Sequence, residues 1–324
     1  MASKIKKIGI LTSGGDGPGM NAAIRSVVRY SLHYGLEVVG IMRGYQGLME
    51  NDIIPLNHRS VSNIINRGGT ILKTARSKEF CTDAGVAKAA DILRRNHIDG
   101  LVAIGGDGTY KGASCLYEAH GIGVVGLPGT IDNDLNGTDQ TIGCATAINT
   151  ALESIDKIRD TAQSMERIFV VEVMGNRSGY IAMEVALAAG AEDVIIPERS
   201  FDYATMYSEI KAGNARGKIS WIIVTAEGAA KAHVVADNIT QFTGFETRFV
   251  VLGHVQRGGT PSGQDRILST RLGAAAVDLL LNGVYGKAVG VLQDKINVTE
   301  LKNATRRDHD EEMNRRYDLL KILT

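Results

Sequence analysis

Proline is scarce in this chain, with five in 324 residues; aromatic residues make up only 5%, and there is one tryptophan. Charge of one sign is also missing: 36 Lys and Arg stand against 36 Asp and Glu. No global field therefore favours nucleic acid or an anionic membrane, so any anionic ligand must be held by local clusters. No apolar run approaches the roughly 18 residues a membrane-spanning helix needs. The three cysteines, Cys81, Cys115 and Cys144, are odd in number, far apart and without C-x-x-C spacing. They read as reduced thiols of a cytosolic protein, neither a disulfide framework nor a zinc site. The basic start is followed by an apolar run, Ile8 to Leu11, too short for a secretory leader, and the expected compartment is the cytoplasm. What the chain has in abundance is glycine, 38 residues, against an average usage of about 7%. Glycine without matching proline or serine points to ordered tight turns and close backbone approach to ligands, the composition of a phosphate-handling α/β enzyme. At roughly 100–200 residues per domain, the length suggests two domains.

Short β-branched runs alternate with helix-period segments. Lys7 to Leu11, Leu36 to Met42, Gly100 to Ile104, Ile122 to Leu127, Ile168 to Val173, Val194 to Ile196, Trp221 to Thr225 and Phe249 to Leu252 read as strands. Strands apolar on both faces, each followed by a helix, imply buried, mostly parallel sheets in three-layer α/β/α lobes. A long helical segment, Thr141 to Ser164, lies near the middle, and a second βαβ series begins at Arg167. The charged stretch Asn303 to Arg316, running into Tyr317–Leu320, reads as a surface helix that returns to pack.

In such folds ligands sit at the carboxyl ends of the strands, and four loops there stand out. The first, Thr12-Ser13-Gly14-Gly15-Asp16-Gly17-Pro18-Gly19-Met20-Asn21, leads from a strand into a helix. It lacks the Lys-Ser/Thr of a P-loop, yet backbone amides at a helix start can cradle phosphate. The second, Gly105-Gly106-Asp107-Gly108-Thr109, sets a carboxylate suited to Mg²⁺ among glycines; the bland reading makes Asp107 or Thr109 a helix cap. The third, Pro128-Gly129-Thr130-Ile131-Asp132-Asn133-Asp134, carries two carboxylates two residues apart. If the stretch is extended, both point to one side, about 6–7 Å apart, one to take a proton and one to face a metal. The fourth, Gly253-His254-Val255-Gln256-Arg257-Gly258-Gly259, joins Arg76, Arg167 and Arg248 in a set of cations, several near strand boundaries, where guanidinium groups can grip phosphate bidentately. The one literal G-x-G-x-x-G, Gly121 to Gly126, runs into a strand and not from strand to helix, which argues against a dinucleotide.

These four loops, in this order, resemble those of the bacterial ATP-dependent 6-phosphofructokinases, and the resemblance spans nearly the whole chain. It implies two lobes with the active site between them, residues 1–143 with 256–306 forming a larger ATP-binding lobe and 144–255 with 307–324 a smaller sugar-phosphate lobe. It further implies a homotetramer, transfer of the γ-phosphoryl group of MgATP to the 1-hydroxyl of fructose 6-phosphate, and control by ADP or phosphoenolpyruvate. By position, Gly15, Gly106, Asp107, Gly108 and Thr109, with Tyr45, Arg76, Ser77 and Gly112, match the ATP site, and Asp107 the Mg²⁺ residue. Asp132 matches the general base, with Thr130 and Asp134 beside it, while Arg76 meets charge developing on the γ-phosphoryl group. Met174, Gly175, Glu227, His254 and Arg257 match the sugar-phosphate pocket, and Arg167 and Arg248 a contribution from a neighbouring subunit. Gly108 and Gly129 favour ATP, since pyrophosphate-dependent relatives carry bulkier Asp and Lys there that fill nucleotide space.

Some positions depart from the pattern. Asn176 stands where the family has arginine, with Arg177 one place later, and Tyr180 replaces an acidic residue common among relatives. Cys81 occupies a position near the nucleotide that is often arginine. At the effector site Arg25, Arg29, Arg159, Gly190, Glu192, Arg216 and Lys218 match, whereas His58, Asn63 and Ser220 replace other polar or charged residues. Two other readings share parts of this pattern. Kinases of the NAD or lipid type also carry Gly-Gly-Asp-Gly-Thr, but lack the third and fourth loops. A catalytically weak sugar-phosphate or nucleotide sensor is favoured by Asn176 and opposed by the intact Asp107 and Asp132.

Overall fold

A computed structural model describes residues 5–307 and 310–324. Its elements run β1 (Lys7–Thr12), α1 (Met20–His33), β2 (Glu37–Ile41), α2 (Gly44–Met49), β3 (Ile53–Leu56), α3 (Asp83–Arg95), β4 (Gly100–Gly105), α4 (Asp107–His120), β5 (Gly123–Pro128) and α5 (Cys144–Ser164). They continue with β6 (Ile168–Val173), α6 (Tyr180–Ala189), β7 (Asp193–Ile195), α7 (Tyr203–Ala215), β8 (Trp221–Ala226), α8 (Ala232–Thr243), β9 (Thr247–Val251), α9 (Gly263–Leu281), β10 (Lys287–Leu292), β11 (Lys295–Glu300) and α10 (Asp310–Leu323). The chain divides into two compact units, Met1–Thr146 with Arg257–Arg307, and Ala147–Gln256 with Asp308–Thr324.

In the first unit a seven-stranded sheet has the order β11-β10-β5-β4-β1-β2-β3. The central strands are parallel; β4 and β5 are buried along their whole length and β1 at all but Lys7, as strands covered on both faces by helices must be. Two apolar clusters fill the unit. One, built on Ile8, Ile10, Val102, Ile104 and Val125, packs against α1 and α9; the other, built on Leu11, Ile41, Leu101, Ala103 and Val124, packs against α3 and α4. The edges were not legible in the sequence. β3 and β11 run antiparallel to their neighbours, so the sheet is mixed, because a short strand holding Pro55 and a polar one such as β11 carry no buried-strand pattern.

The second unit holds a four-stranded, all-parallel sheet, β7-β8-β6-β9, with a core of Ile168, Val170, Ile223, Trp221 and Ile239. Helix α5 starts at Cys144, three residues later than the periodicity predicts. Gly143 takes φ 103°, outside the helical range, so the helix can begin only after it; Ile142 N–H binds the Pro128 carbonyl at 2.8 Å. At the far end α10 buries Met313 and Leu320 and binds Asp193 and Glu209 through Lys321, at 3.0 and 2.7 Å. Within the charged stretch read as a returning helix, Asp308 and His309 lie outside the described residues.

Candidate active site

Strand order places the loops. In the seven-stranded sheet β1 connects through α1 to β2 on one side, while its neighbour β4 connects through α4 to β5 on the other. Such a reversal opens a crevice outside the carboxyl ends, where open α/β sheets bind ligands. The Ser13–Asn21 loop follows β1, the Gly105–Thr109 turn follows β4, and the Thr130–Asp134 stretch follows β5 beside it. The second sheet repeats the device, since β6 and β8 are neighbours whose crossovers leave in opposite directions. Met174–Asn176 follows the one and Glu227 the other.

Side chains then fix the first crevice. Thr109 donates from Oγ1 to the Ser13 carbonyl at 3.1 Å, tying the two glycine loops together. Tyr45 donates its hydroxyl to the Thr109 carbonyl at 2.8 Å and stacks on Phe80 with ring centroids 3.9 Å apart; burial pushes its phenol pKa up. A Cβ on Gly112 would lie 2.6 Å from Phe80 and 3.0 Å from Tyr45, so that glycine is imposed by the ring pair. A Cβ on Gly105 would meet the Ser13 carbonyl and Thr109 Oγ1, and one on Gly15 would run into the Arg257 guanidinium. By contrast Gly108 is exposed and a Cβ there would face open space, whereas one on Gly106 would lie 3.5 Å from that of Thr130. Asp107, 28% exposed, accepts the Arg306 backbone N–H at 3.2 Å and pairs with Lys111 at 2.6 Å. Arg76 is exposed, and Ser77 Oγ accepts the Phe80 N–H at 3.3 Å, opening the turn that delivers Phe80 and Cys81.

In the third loop Asp132 and Asp134 are buried and Thr130 Oγ1 accepts the Asp132 N–H at 3.2 Å. The stretch is not extended, however. Asn133 adopts φ 48°, which breaks the two-residue alternation, so spacing alone does not put both carboxylates on one side. Their common neighbour is the buried Cys144 thiol, whose pKa burial raises, with Asp265, Asp132 and Asp134 adding to the rise. Gly129 is closely packed as well: a Cβ there would lie 2.8 Å from Ile104 and 3.1 Å from the Gly105 N, so a larger residue would require β4 and its neighbours to shift.

In the second unit Glu227 Oε1 accepts the N–H groups of Gly175, at 3.3 Å, and Asn176, at 2.9 Å. Met174 N–H goes to the buried Gln256 at 2.8 Å. Asn176 sits at φ 54°, a conformation asparagine tolerates better than arginine does, and both it and Arg177 are exposed. Tyr180 lies 5.4 Å from the Arg316 guanidinium, and His254 is exposed in the single turn after β9. Arg257 belongs instead to the first unit, donating to the Asp16 carbonyl at 3.0 Å. Arg167 and Arg248 are the clearest departure from the expected clustering at ligand-facing loops. They occupy the amino ends of β6 and β9, bridged by Glu246, with Arg167 to Glu246 at 2.8 Å. At about 3.3 Å per residue, a strand of this length separates them from Met174 by roughly 20 Å.

The effector-like residues fall in both units. Arg25 and Arg29 lie one turn apart on α1, and burial, then the Arg29 charge, lowers the Arg25 pKa; His58 and Asn63 are exposed in the loop after β3. In the second unit Arg159 donates to the Ala189 and Gly190 carbonyls at 2.8 and 2.9 Å, and Lys218 pairs with the buried Glu192 at 3.2 Å. Arg216 is exposed at the end of α7 and Ser220 half-buried before β8. Three residues outside the expected set hold this machinery. Asn21 clamps the Arg67, Gly68 and Ile71 backbone, Gln256 holds Met174, and Asp265 fixes the start of α5. Their signal was buried polarity, which only packing reveals.

Comparison with known proteins shows the family. The phosphofructokinase family profile matches residues 7–280. The chain belongs to that family. It is 54% identical over 308 residues to ATP-dependent 6-phosphofructokinase 1 of Thermus thermophilus, covering 94% of this chain and 96% of that protein. It is 48% identical to the ATP-dependent 6-phosphofructokinase of Halothermothrix orenii, covering 99% of this chain and all of the other. The Saccharomyces cerevisiae phosphofructokinase superposes with a TM-score of 0.85 at 35% identity; 98% of this chain is covered but only 46% of the yeast one. A pyrophosphate-dependent phosphofructokinase from Marinobacter aquaeolei, 21% identical with a TM-score of 0.84 over 98% of this chain and 91% of its own, shares the fold. Among the described residues no helix is long and apolar enough to cross a membrane.

Proposed function

We propose that this chain is an ATP-dependent 6-phosphofructokinase of glycolysis, working in the cytoplasm. The observation that carries the reading is the crevice of the seven-stranded sheet, where two glycine loops, Asp107 and Asp132 converge at one strand-order reversal. Asp132 takes the proton from the sugar 1-hydroxyl as that oxygen bonds to the γ-phosphorus; the bridging bond breaks and ADP leaves. Thr130 positions the Asp132 backbone. The exposed Arg76 neutralises charge on the transferring group, the arrangement in-line phosphoryl transfer demands.

Asp107 is the residue that would hold Mg²⁺. Among the described residues no three acidic, His or Cys groups form an all-protein cage, and Mg²⁺ is ordinarily held by one or two carboxylates together with water and phosphate oxygens, so a single partly exposed carboxylate at the mouth of a phosphate loop suits it. Bound there, Mg²⁺ supplies charge neutralisation to the phosphates. Gly15, Gly106, Gly108, Thr109, Tyr45, Ser77 and Gly112 line the ATP side, in the larger lobe. Met174, Gly175, Asn176, Glu227, His254 and Arg257 bind fructose 6-phosphate, with Asp134 assisting Asp132. Arg167 and Arg248, about 20 Å from the carboxyl end of their own sheet at the usual strand rise, serve the site of a neighbouring copy in a homotetramer. Arg159, Gly190, Glu192, Arg216, Lys218 and Ser220 of one copy, with Arg25, Arg29, His58 and Asn63, receive ADP or phosphoenolpyruvate as effector.

The deciding experiment measures ADP release by the purified protein with MgATP, with and without fructose 6-phosphate, and with pyrophosphate as alternative donor. Sugar-dependent ADP release is expected. Turnover with pyrophosphate alone would overturn the donor, and silence with both would overturn the kinase reading.

A further inference from the structure

Asp265, in the first turn of α9, is 1% exposed yet has no ligand-facing place in the site described above. A carboxylate that deep is costly to keep unless its oxygens are met by donors, and here they are. Oδ1 accepts the Gly143 N–H at 2.8 Å; Oδ2 accepts the Thr146 N–H at 2.8 Å, the Thr146 hydroxyl at 2.5 Å and the Ser262 hydroxyl at 3.3 Å. Ser262 is held in turn, its N–H donating to Thr146 Oγ1 at 2.9 Å. All of this converges on Gly143–Thr146, the turn that follows the Thr130–Asp134 loop and begins α5.

That turn touches both halves of the phosphotransfer crevice. Ile142 N–H binds the Pro128 carbonyl, at the root of the Asp132 loop, at 2.8 Å. A Cβ on Gly143 would lie 3.1 Å from Ile131, next to Asp132, and 3.2 Å from the Pro18 carbonyl in the first glycine loop. A Cβ on Gly19 would meet Ile142 at 2.8 Å and Asp265 at 3.5 Å. Little slack separates Asp265 from the backbone that carries the reacting carboxylate. Among the residues whose charge acts on the Cys144 thiol, Asp265, Asp132 and Asp134 stand together.

We propose that Asp265 is a positioning residue for phosphotransfer, holding the Gly143–Thr146 turn so that the Asp132 loop packed against it keeps its reactive place. The proposal rests on the reading of Asp132 as general base. Only a carboxylate satisfies the geometry: an amide in either orientation turns its NH₂ toward the Gly143 or the Thr146 N–H and leaves that donor without an acceptor.

The test compares Asp265→Asn, Thr146→Ala, Asp132→Ser and the double variant Asp265→Asn with Asp132→Ser in steady-state ADP release, with thermal unfolding to verify each fold. Asp265→Asn is expected to lower kcat by about 10–100-fold, the cost of a small misplacement at a reacting centre, while both KM values stay within about threefold. In the Asp132→Ser background the same change is expected to cost nothing further, because its effect passes through Asp132. Thr146→Ala, a milder cut into the same cluster, is expected to lower kcat about threefold with the same dependence on Asp132, and it carries the test if Asp265→Asn does not fold. An equal loss in both backgrounds would show a merely structural role, and a wild-type kcat in Asp265→Asn or Thr146→Ala would overturn the proposal while leaving the base assignment standing. A wild-type rate in Asp132→Ser alone would remove the base and the proposal with it.

Discussion

The two sheets solve the same problem with different completeness. In the seven-stranded unit, the strand-order reversal, both glycine loops, Asp107 and the Asp132 loop all lie at one end of one sheet, tied by Thr109 to Ser13 and by Tyr45 to Thr109. In the four-stranded unit the reversal gathers Met174–Asn176 on Glu227, but the guanidinium groups sit at the opposite end, held by Glu246. The first unit carries its candidate crevice on its own loops; the function proposed above has the second unit export Arg167 and Arg248 to a neighbouring copy. Backbone amides and packed glycines are local devices, whereas an arginine at a strand's amino end can serve only what approaches from that side.

The sharpest way to break the comparison is Asp132→Ser, which is expected to lower kcat by about 10²–10⁴-fold, the contribution of a general base, with an unchanged unfolding transition. Near-normal turnover in the ADP-release assay would remove chemistry from the first unit altogether. Next in size is Arg248→Ala: losing a charged phosphate contact of about 1.5–3 kcal/mol is expected to raise the KM for fructose 6-phosphate by about 10–100-fold and leave that for ATP nearly unchanged. Equal changes in both would contradict a role confined to the sugar phosphate. Whether the export is real can be read by mixing subunits of Arg248→Ala and Asp132→Ser. At low fructose 6-phosphate, hybrid assemblies are expected to exceed either parent about severalfold, because one chain then lends its arginine to a site with an intact base; activity no higher than the parents' mean would place Arg248 in its own chain's site.

Smaller effects test the glycines and the displaced arginine. Gly105→Ala sets a methyl group against the Ser13 carbonyl and Thr109 Oγ1. That overpacking, about 1–3 kcal/mol, is expected to lower Tm by several degrees and to raise the KM for ATP about tenfold; an unchanged KM for ATP would free the turn from the nucleotide. Asn176→Arg is expected to change kcat/KM by less than about threefold, since a left-handed position costs a non-glycine residue other than asparagine or aspartate about 1–2 kcal/mol. A large gain would show that a guanidinium is missing at that loop.

Several of these residues were legible before any fold was known. The strands bordering Gly14–Gly15, Gly105–Thr109 and Thr130–Asp134 announced themselves because a buried parallel strand is continuously apolar and the turn after it must be small. The edge strands β3 and β11 did not, because their composition follows pairing partners more than burial; β10 was also passed over, although Ala288–Val291 are buried. Asn133 reversed an inference from spacing alone, because one left-handed residue cancels the alternation of an extended chain. Gly129, read from the sequence as a donor determinant, is also packed closely against Ile104, a constraint that only the fold reveals. Asp265 gave no sign in the sequence, and Asn21 and Gln256 stood within the quoted loops without a role, since a polar residue that will be buried is spelled like one that will not.

The sequence by itself determined the α/β alternation, the order of the four loops and the residue types able to hold phosphate, Mg²⁺ and a proton, because these depend on local periodicity and local chemistry. Tertiary structure decided which loops share a strand-order reversal, on which end of a strand an arginine stands, and which buried carboxylate holds the turn that begins α5. Those are properties of strand order and of packing between segments more than a hundred residues apart, as between Thr146 and Asp265, and no local pattern encodes them.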